Sequence, residues 1–119
     1  TVEDHKLVTA RLDQLLREDG ATIDASYFCP HGPEDGCDCR KPGALLFRNA
    51  QHDHPEINLS RALYIGDRYR DIEPGIHLGG TGVLVPSPET PQSEIDVANA
   101  RARVAPSLAT ALDWFLCTN

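Results

Sequence analysis

Methionine is absent from the 119 residues, the chain opens on Thr1, and aromatic residues make up only 6% of it, with a single tryptophan. The missing initiator raises the expectation of a processed or truncated piece of a longer protein. Basic residues are also scarce: Lys and Arg number 11 against 18 Asp and Glu, a formal net charge of -7. Without a basic face to displace counterions, binding to a nucleic-acid backbone is excluded. Apolar runs are short, none approaching the roughly 20 residues of a membrane-spanning helix, and the amino end has no signal-peptide pattern. These absences predict a soluble, cytoplasmic protein with neither a nucleic-acid nor a membrane partner. The 40% hydrophobic content suffices for one domain with one core.

Cysteine is sparse but concentrated. Three of the four cysteines fall in "CPHGPEDGCDCRKP", Cys29 to Pro42, a run that reads as a disulfide knot, a metal site or a reactive centre. One residue separates Cys37 from Cys39, and Cys117 sits far along the chain, so the spacing suits metal ligands better than two disulfides. Cys29, His31, Cys37 and Cys39 supply three thiolates and one imidazole, a donor set for tetrahedral zinc. Pro30, Gly32, Pro33 and Gly36 let the loop double back so that both ligand pairs face one ion. Four protein ligands leave no open position, which makes this zinc structural rather than hydrolytic. The plainer alternative is a loop of free thiols. Cys117, with no neighbour of its kind, is expected to pack as a small hydrophobe.

Periodicity places this loop among regular elements. Val8, Leu12, Leu15 and Leu16 recur at helical spacing and predict a helix over 2–19, with Thr1 and Asp4 resembling a capping box and Gly20 as the carboxyl-terminal cap. "TIDASYF" (Thr22 to Phe28) has the composition of a strand, from whose carboxyl end the cysteine loop departs. A helix over Gly43 to His52 follows. Then come a strand over Arg61 to Asp67, a short helix over "DIEPGIHLG" with Pro74 inside it, and a strand over Thr81 to Val85. "PSPETPQSE" reads as a surface loop, Arg103 to Val104 as a minor strand, and Ser107 as the cap of a closing helix through Phe115. Alternating strands and helices predict an α/β fold with a parallel sheet covered on both faces.

Ligands in such sheets bind at the carboxyl ends of the strands. "CDCRKP" follows one strand and "IGDRYRD" ends another. In the second, Gly66 allows a sharp turn, and Asp67 and Asp71 stand a helical turn apart. A carboxylate with waters and a substrate phosphate is the usual way of holding Mg²⁺, although an Asp at a strand-to-helix junction also serves simply as a helix cap. Arg40 and Lys41 at the same sheet edge favour a phosphate ester, Lys41 as a point charge and Arg40 as a two-pronged donor. His52 and His54 in "QHDHPE" offer a second metal site or, more simply, a solvated helix end. His5 and His77 form no constellation. Leu108, Leu112 and Trp114 to Leu116 are expected to pack the last helix on the sheet.

"CPHGPEDGCDCRKPGALL" followed by "LYIGDRYRDIEPGIHLGGTGVLV" resembles the zinc-containing haloacid dehalogenase-type phosphatases. Within them the match is above all to the D-glycero-D-manno-heptose 1,7-bisphosphate 7-phosphatase family, with histidinol-phosphate phosphatase domains as close relatives. The resemblance is strongest from Tyr27 to Val85 and implies a Rossmann-like three-layer fold, removal of phosphate through an aspartyl-phosphate with catalytic Mg²⁺, and a structural zinc loop (29–39) that shapes the substrate pocket. It also implies that Lys41 stabilises the transferring phosphoryl group and Arg40 recognises a small sugar phosphate. By the same resemblance Asp67 is expected to bind Mg²⁺, Arg68 to lie beside the substrate and Asp71 to support the site.

Members of that family begin with a D-x-D-x-[TV] strand, whose first Asp attacks phosphorus and whose second acts as general acid and base. No D-x-D occurs in this sequence. Its opening "TVEDHKLVTARLDQLL" resembles the helix that follows those elements. The expectation is therefore one partial domain over 1–119, incomplete at its amino-terminal end, inactive alone and monomeric when complete. A non-catalytic zinc module that binds a partner and an intact enzyme with a relocated nucleophile are the alternatives.

Overall fold

The structure, a computed structural model, describes residues 2–27 and 43–118. Helix α1 (Val2–Glu18) is followed by α2 (Leu45–Asp53), a single 3₁₀ turn (Leu59–Arg61), β1 (Leu63–Gly66), α3 (Tyr69–His77), β2 (Thr81–Leu84), α4 (Gln92–Arg101), β3 (Arg103–Val104) and α5 (Leu108–Thr118).

The three strands form one parallel sheet in chain order, with Leu63 opposite Thr81 and Val83 opposite Arg103. The ladder runs on past the strand ends, where Val85 N–H donates to Gly66 C=O and Ala105 N–H to Leu84 C=O, each at 2.9 Å. Because successive strand residues face opposite sides, β2 divides its core cleanly. Leu84 packs with Ile72 of α3 and Ala98 of α4. Val83 packs with Ala105 and Ala111 on the side where Leu63, Ile65 and Trp114 gather. Two helices thus cover one face and α5 the other, the layered α/β arrangement that the alternation of elements predicts.

Local rules account for the ends. Gly20 adopts φ 81°, Ala21 N–H reaches Leu16 C=O at 2.8 Å and Gly20 N–H reaches Arg17 C=O at 3.0 Å, so α1 ends in a Schellman motif at the expected glycine. Ser107 Oγ accepts from Thr110 N–H at 3.1 Å and caps α5 as expected. Tyr64 of β1 needs room on α3: a Cβ on Gly75 would overlap its ring, and its hydroxyl donates to Leu59 C=O at 2.7 Å.

Four expectations need correction. Leu108, Leu112 and Leu116, expected to pack the last helix on the sheet, are exposed, as is Cys117, expected to pack as a small hydrophobe; α5 is held through Ala111 and Trp114 instead. Residues 22–27 are not a strand, and Ile23 is exposed. The β-branched composition of "TIDASYF" is only a fitness for a half-buried pleat, and the sheet β1–β2–β3 does not include this segment. The stretch read as a loop after Val85 instead turns helical at Gln92, and α4 continues to Arg101. Its weak amphipathic pattern hides it: the helix buries only Ala98, so no stripe of large apolar residues marks it. Phe28, the strand's last expected residue, and Thr1, expected in the α1 capping box, lie outside the described residues.

Candidate functional site

Strand β1 ends at Gly66, and the next three residues, Asp67, Arg68 and Tyr69, turn the chain into α3. Gly66 is required by the close approach of Asp71, whose carboxylate would overlap any Cβ placed there. Asp71 Oδ2 accepts Arg68 N–H at 3.2 Å, so this carboxylate closes the first turn of α3 and stays tucked against the strand end. Asp67 is exposed beside it. Its Oδ2 accepts from Ser87 Oγ at 3.2 Å, and its Oδ1 has no hydrogen bond among the described residues.

The segment after β2 leans over this turn. Thr90 is buried, and its hydroxyl donates to Asp67 C=O at 2.6 Å while accepting Ser87 N–H at 2.9 Å. Glu94, in the first turn of α4, grips Arg68 side-on: Nε lies 3.1 Å from both carboxylate oxygens and Nη2 lies 2.7 Å from Oε2. Glu94 Oε1 also accepts Tyr69 N–H at 2.8 Å, placing a negative charge at the amino end of α3. The Arg68 guanidinium, with help from Tyr69 N–H, holds the Glu94 carboxyl below its ordinary range, and the Glu94 hydrogen bond raises Arg68 in turn.

Of the residues singled out in the sequence, Asp67, Arg68 and Asp71 come together at the carboxyl end of β1. Cys29, His31, Cys37, Cys39, Arg40 and Lys41 lie outside the described residues. Ser87, Thr90 and Glu94 were not anticipated from the sequence. "TPQSE" carried the signal, a Thr before Pro with Glu in the first helical turn, which is the mark of a helix start. The Thr90 hydroxyl, however, is spent on Asp67 rather than on a cap of α4.

These donors suit Mg²⁺. They are all oxygen, and Asp67 presents one carboxylate oxygen that is unengaged among the described residues, next to a second carboxylate. Mg²⁺ is commonly bound by one or two carboxylates with waters and substrate phosphate completing the octahedron. Among the described residues no group of three or more His, Cys, Asp or Glu could hold a metal by itself. His52 and His54 belong to no such group.

The chain matches the HAD-hydrolase-like family over residues 38–111. A D-glycero-beta-D-manno-heptose-1,7-bisphosphate 7-phosphatase from Pseudomonas putida is 41% identical over 76 residues, covering 64% of this chain and 43% of that protein. The enzyme of the same name from Helicobacter pylori J99 is 35% identical over 108 residues, 87% of this chain and 62% of the relative. A histidine biosynthesis bifunctional protein from Actinobacillus pleuropneumoniae is 38% identical over 66 residues, 56% of this chain and 18% of the relative. The chain therefore spans less than two thirds of the length of these relatives. Among solved structures, the D,D-heptose 1,7-bisphosphate phosphatase from Bordetella bronchiseptica complexed with magnesium and phosphate superposes with a TM-score of 0.79 at 25% identity, covering 96% of this chain and 64% of that one.

Proposed function

The chain belongs to the haloacid dehalogenase-like hydrolase family, and from that premise we propose that it carries the Mg²⁺ and substrate-recognition part of a phosphatase for a small sugar phosphate, D-glycero-D-manno-heptose 1,7-bisphosphate releasing its 7-phosphate. The observation that carries the proposal is Asp67: an exposed carboxylate at the carboxyl end of a parallel strand, with one oxygen unengaged among the described residues. The names of the chain's relatives and of its structural neighbour support the same substrate.

In this reading Asp67 is the protein ligand of Mg²⁺, and Asp71 fixes the turn that presents it. Bound Mg²⁺ supplies positive charge to the phosphate oxygens. Lys41 adds a point charge to the transferring phosphoryl group, and Arg40 recognises the sugar side of the substrate by forked hydrogen bonding. Arg68 stands beside the substrate with its guanidinium already held by Glu94. Cys29, His31, Cys37 and Cys39 bind a structural zinc that anchors the segment bearing Arg40 and Lys41. The complete enzyme acts in the cytoplasm as a monomer.

The attacking carboxylate and the acid that protonates the leaving oxygen must come from a D-x-D-x-[TV] segment, which this sequence lacks. The 119-residue chain alone should therefore release no phosphate from the heptose bisphosphate or from histidinol phosphate. Joined to such a segment it should give Mg²⁺-dependent hydrolysis that Asp67→Asn abolishes. Release of phosphate by the isolated chain, persisting through further purification, would overturn this assignment. The missing D-x-D also favours a second reading, a non-catalytic zinc module. Failure of the joined protein to turn over any sugar phosphate would support that alternative.

A further inference from the structure

Three side chains of one segment, Ser87, Thr90 and Glu94, meet three successive residues of the β1 turn. Their contacts differ in kind. Ser87 Oγ is shared among Asp67 Oδ2 at 3.2 Å, Glu89 Oε2 at 3.3 Å and Thr90 Oγ1 at 3.4 Å, so it is a rotor with several long contacts. Thr90 is 8% exposed and makes one short bond, 2.6 Å, to the Asp67 carbonyl. Glu94 holds the residue after Asp67 by its side chain and the next one by its backbone N–H.

The peptide between Asp67 and Arg68 is thereby fixed from both sides. Its carbonyl is tied to Thr90, and its N–H is tied to Asp71 Oδ2. Rotating that peptide would re-aim the Asp67 side chain, and it would have to break a short, part-buried hydrogen bond and the charge-assisted bond to Asp71 together. A strand-to-helix turn carrying only its own backbone bonds would not resist in this way.

We propose that Thr90 and Glu94 are positioning residues that fix the direction of the Asp67 carboxylate toward its cation, an inference that rests on reading Asp67 as the Mg²⁺ ligand. Glu94 acts through Arg68 and the amino end of α3, and Thr90 acts through the Asp67 carbonyl. Arg68 is on this view a strut as much as a substrate neighbour, because the side-on grip of Glu94 occupies its Nε and Nη2.

The test uses the full-length gene product and Mn²⁺ as a paramagnetic stand-in for Mg²⁺, with binding followed by electron paramagnetic resonance in the absence of substrate. Glu94→Gln keeps the shape and an acceptor for Tyr69 N–H but removes the charge, and Thr90→Val keeps the shape and removes the hydroxyl. Each should weaken Mn²⁺ binding about tenfold, the scale of losing an outer-shell partner of a metal ligand. Each should also raise the Mg²⁺ concentration for half-maximal phosphate release in proportion, with KM for the sugar phosphate changed far less. Thr90→Ser restores the hydroxyl and should bind within about twofold of the parent. If both variants bind Mn²⁺ like the parent while Asp67→Asn abolishes binding, the positioning role is wrong and the assignment of Asp67 stands. Parental Mn²⁺ binding by Asp67→Asn removes the assignment and the inference with it. Should Glu94→Gln fail to fold, the contrast between Thr90→Val and Thr90→Ser decides.

Discussion

Leu12 and Leu84 are the same residue type in two regions that treat it in opposite ways. Leu84 is 0% exposed between the sheet and helices α3 and α4, whereas Leu12 is 45% exposed on α1. The contrast extends along the chain. Every buried residue among those described lies between Leu59 and Ala111, and neither α1 nor α2 buries any. Helix α1 is specified locally, by its repeat of apolar residues and its Schellman ending. The α/β region is specified by contacts between elements distant in sequence. Amphipathic spacing makes a helix recognisable, but only a facing surface turns that spacing into burial.

The largest effect should come from testing this difference directly. Leu84→Ala should cost about 3–4 kcal/mol, the sum of lost apolar transfer and an unfilled cavity, while Leu12→Ala should cost less than about 0.5 kcal/mol. Urea midpoints for the two variants provide the measurement. Equal costs would break the comparison and mean that the α1 face is covered in solution.

Next in size is a pair of glycines. Gly75→Ala should cost about 2–3 kcal/mol, because the new methyl would overlap the Tyr64 ring against buried α3. Gly20→Ala meets no atom within 4 Å and pays only for φ 81°, so it should cost about 1 kcal/mol. The ratio of the two shifts, read from thermal unfolding, sharpens the distinction between a packing constraint and a purely local one.

The smallest effect belongs to Tyr27, in the exposed region. Its hydroxyl donates to Asp53 Oδ2 at 2.7 Å, and that bond, ahead of desolvation and the Asp53 charge, raises the phenol above its ordinary value. A raised folded value means that the contribution is complete below the ordinary phenol pKa, near 10. It is lost as pH climbs through the raised value. Ultraviolet titration should show Tyr27 and the desolvated Tyr64 ionising later than a free phenol, and Asp53→Asn should bring back Tyr27 alone. An unchanged titration in that variant would leave the link without effect.

What could be read from the sequence follows the same division. Elements set by near neighbours were legible: α1 with Gly20, β1 and β2 with their apolar runs, and the Ser107 cap of α5. Elements set by distant partners were not. Thr22–Tyr27 has the composition of a strand without a place in the sheet, and α4 packs through Ala98 and Ile95, too few and too small to mark a period. At the candidate site, Asp67 and Asp71 stood out as carboxylates a helical turn apart after a strand, while Arg68 entered only through the family resemblance; the structure places the three together at the end of β1. Thr90 and Glu94 were not legible, since their importance lies in reaching residues more than 20 positions earlier.

The simple strand order has a kinetic consequence. Because β1 pairs with β2 and β2 with β3, each pairing joins chain segments separated by one helix, and closing a loop of roughly 20 residues costs little more entropy than closing one half as long. Parallel sheets usually fold slowly because they must wait for remote partners. This one can grow by adding the next strand–helix unit, starting from β1–α3–β2, where Ile72 and Tyr64 already meet the glycines that admit them. A nucleus of this kind would lie beside the Asp67 turn, yet Thr90 and Glu94 arrive only with the next unit, so the backbone that presents the carboxylate is locked after β1 and β2 have paired.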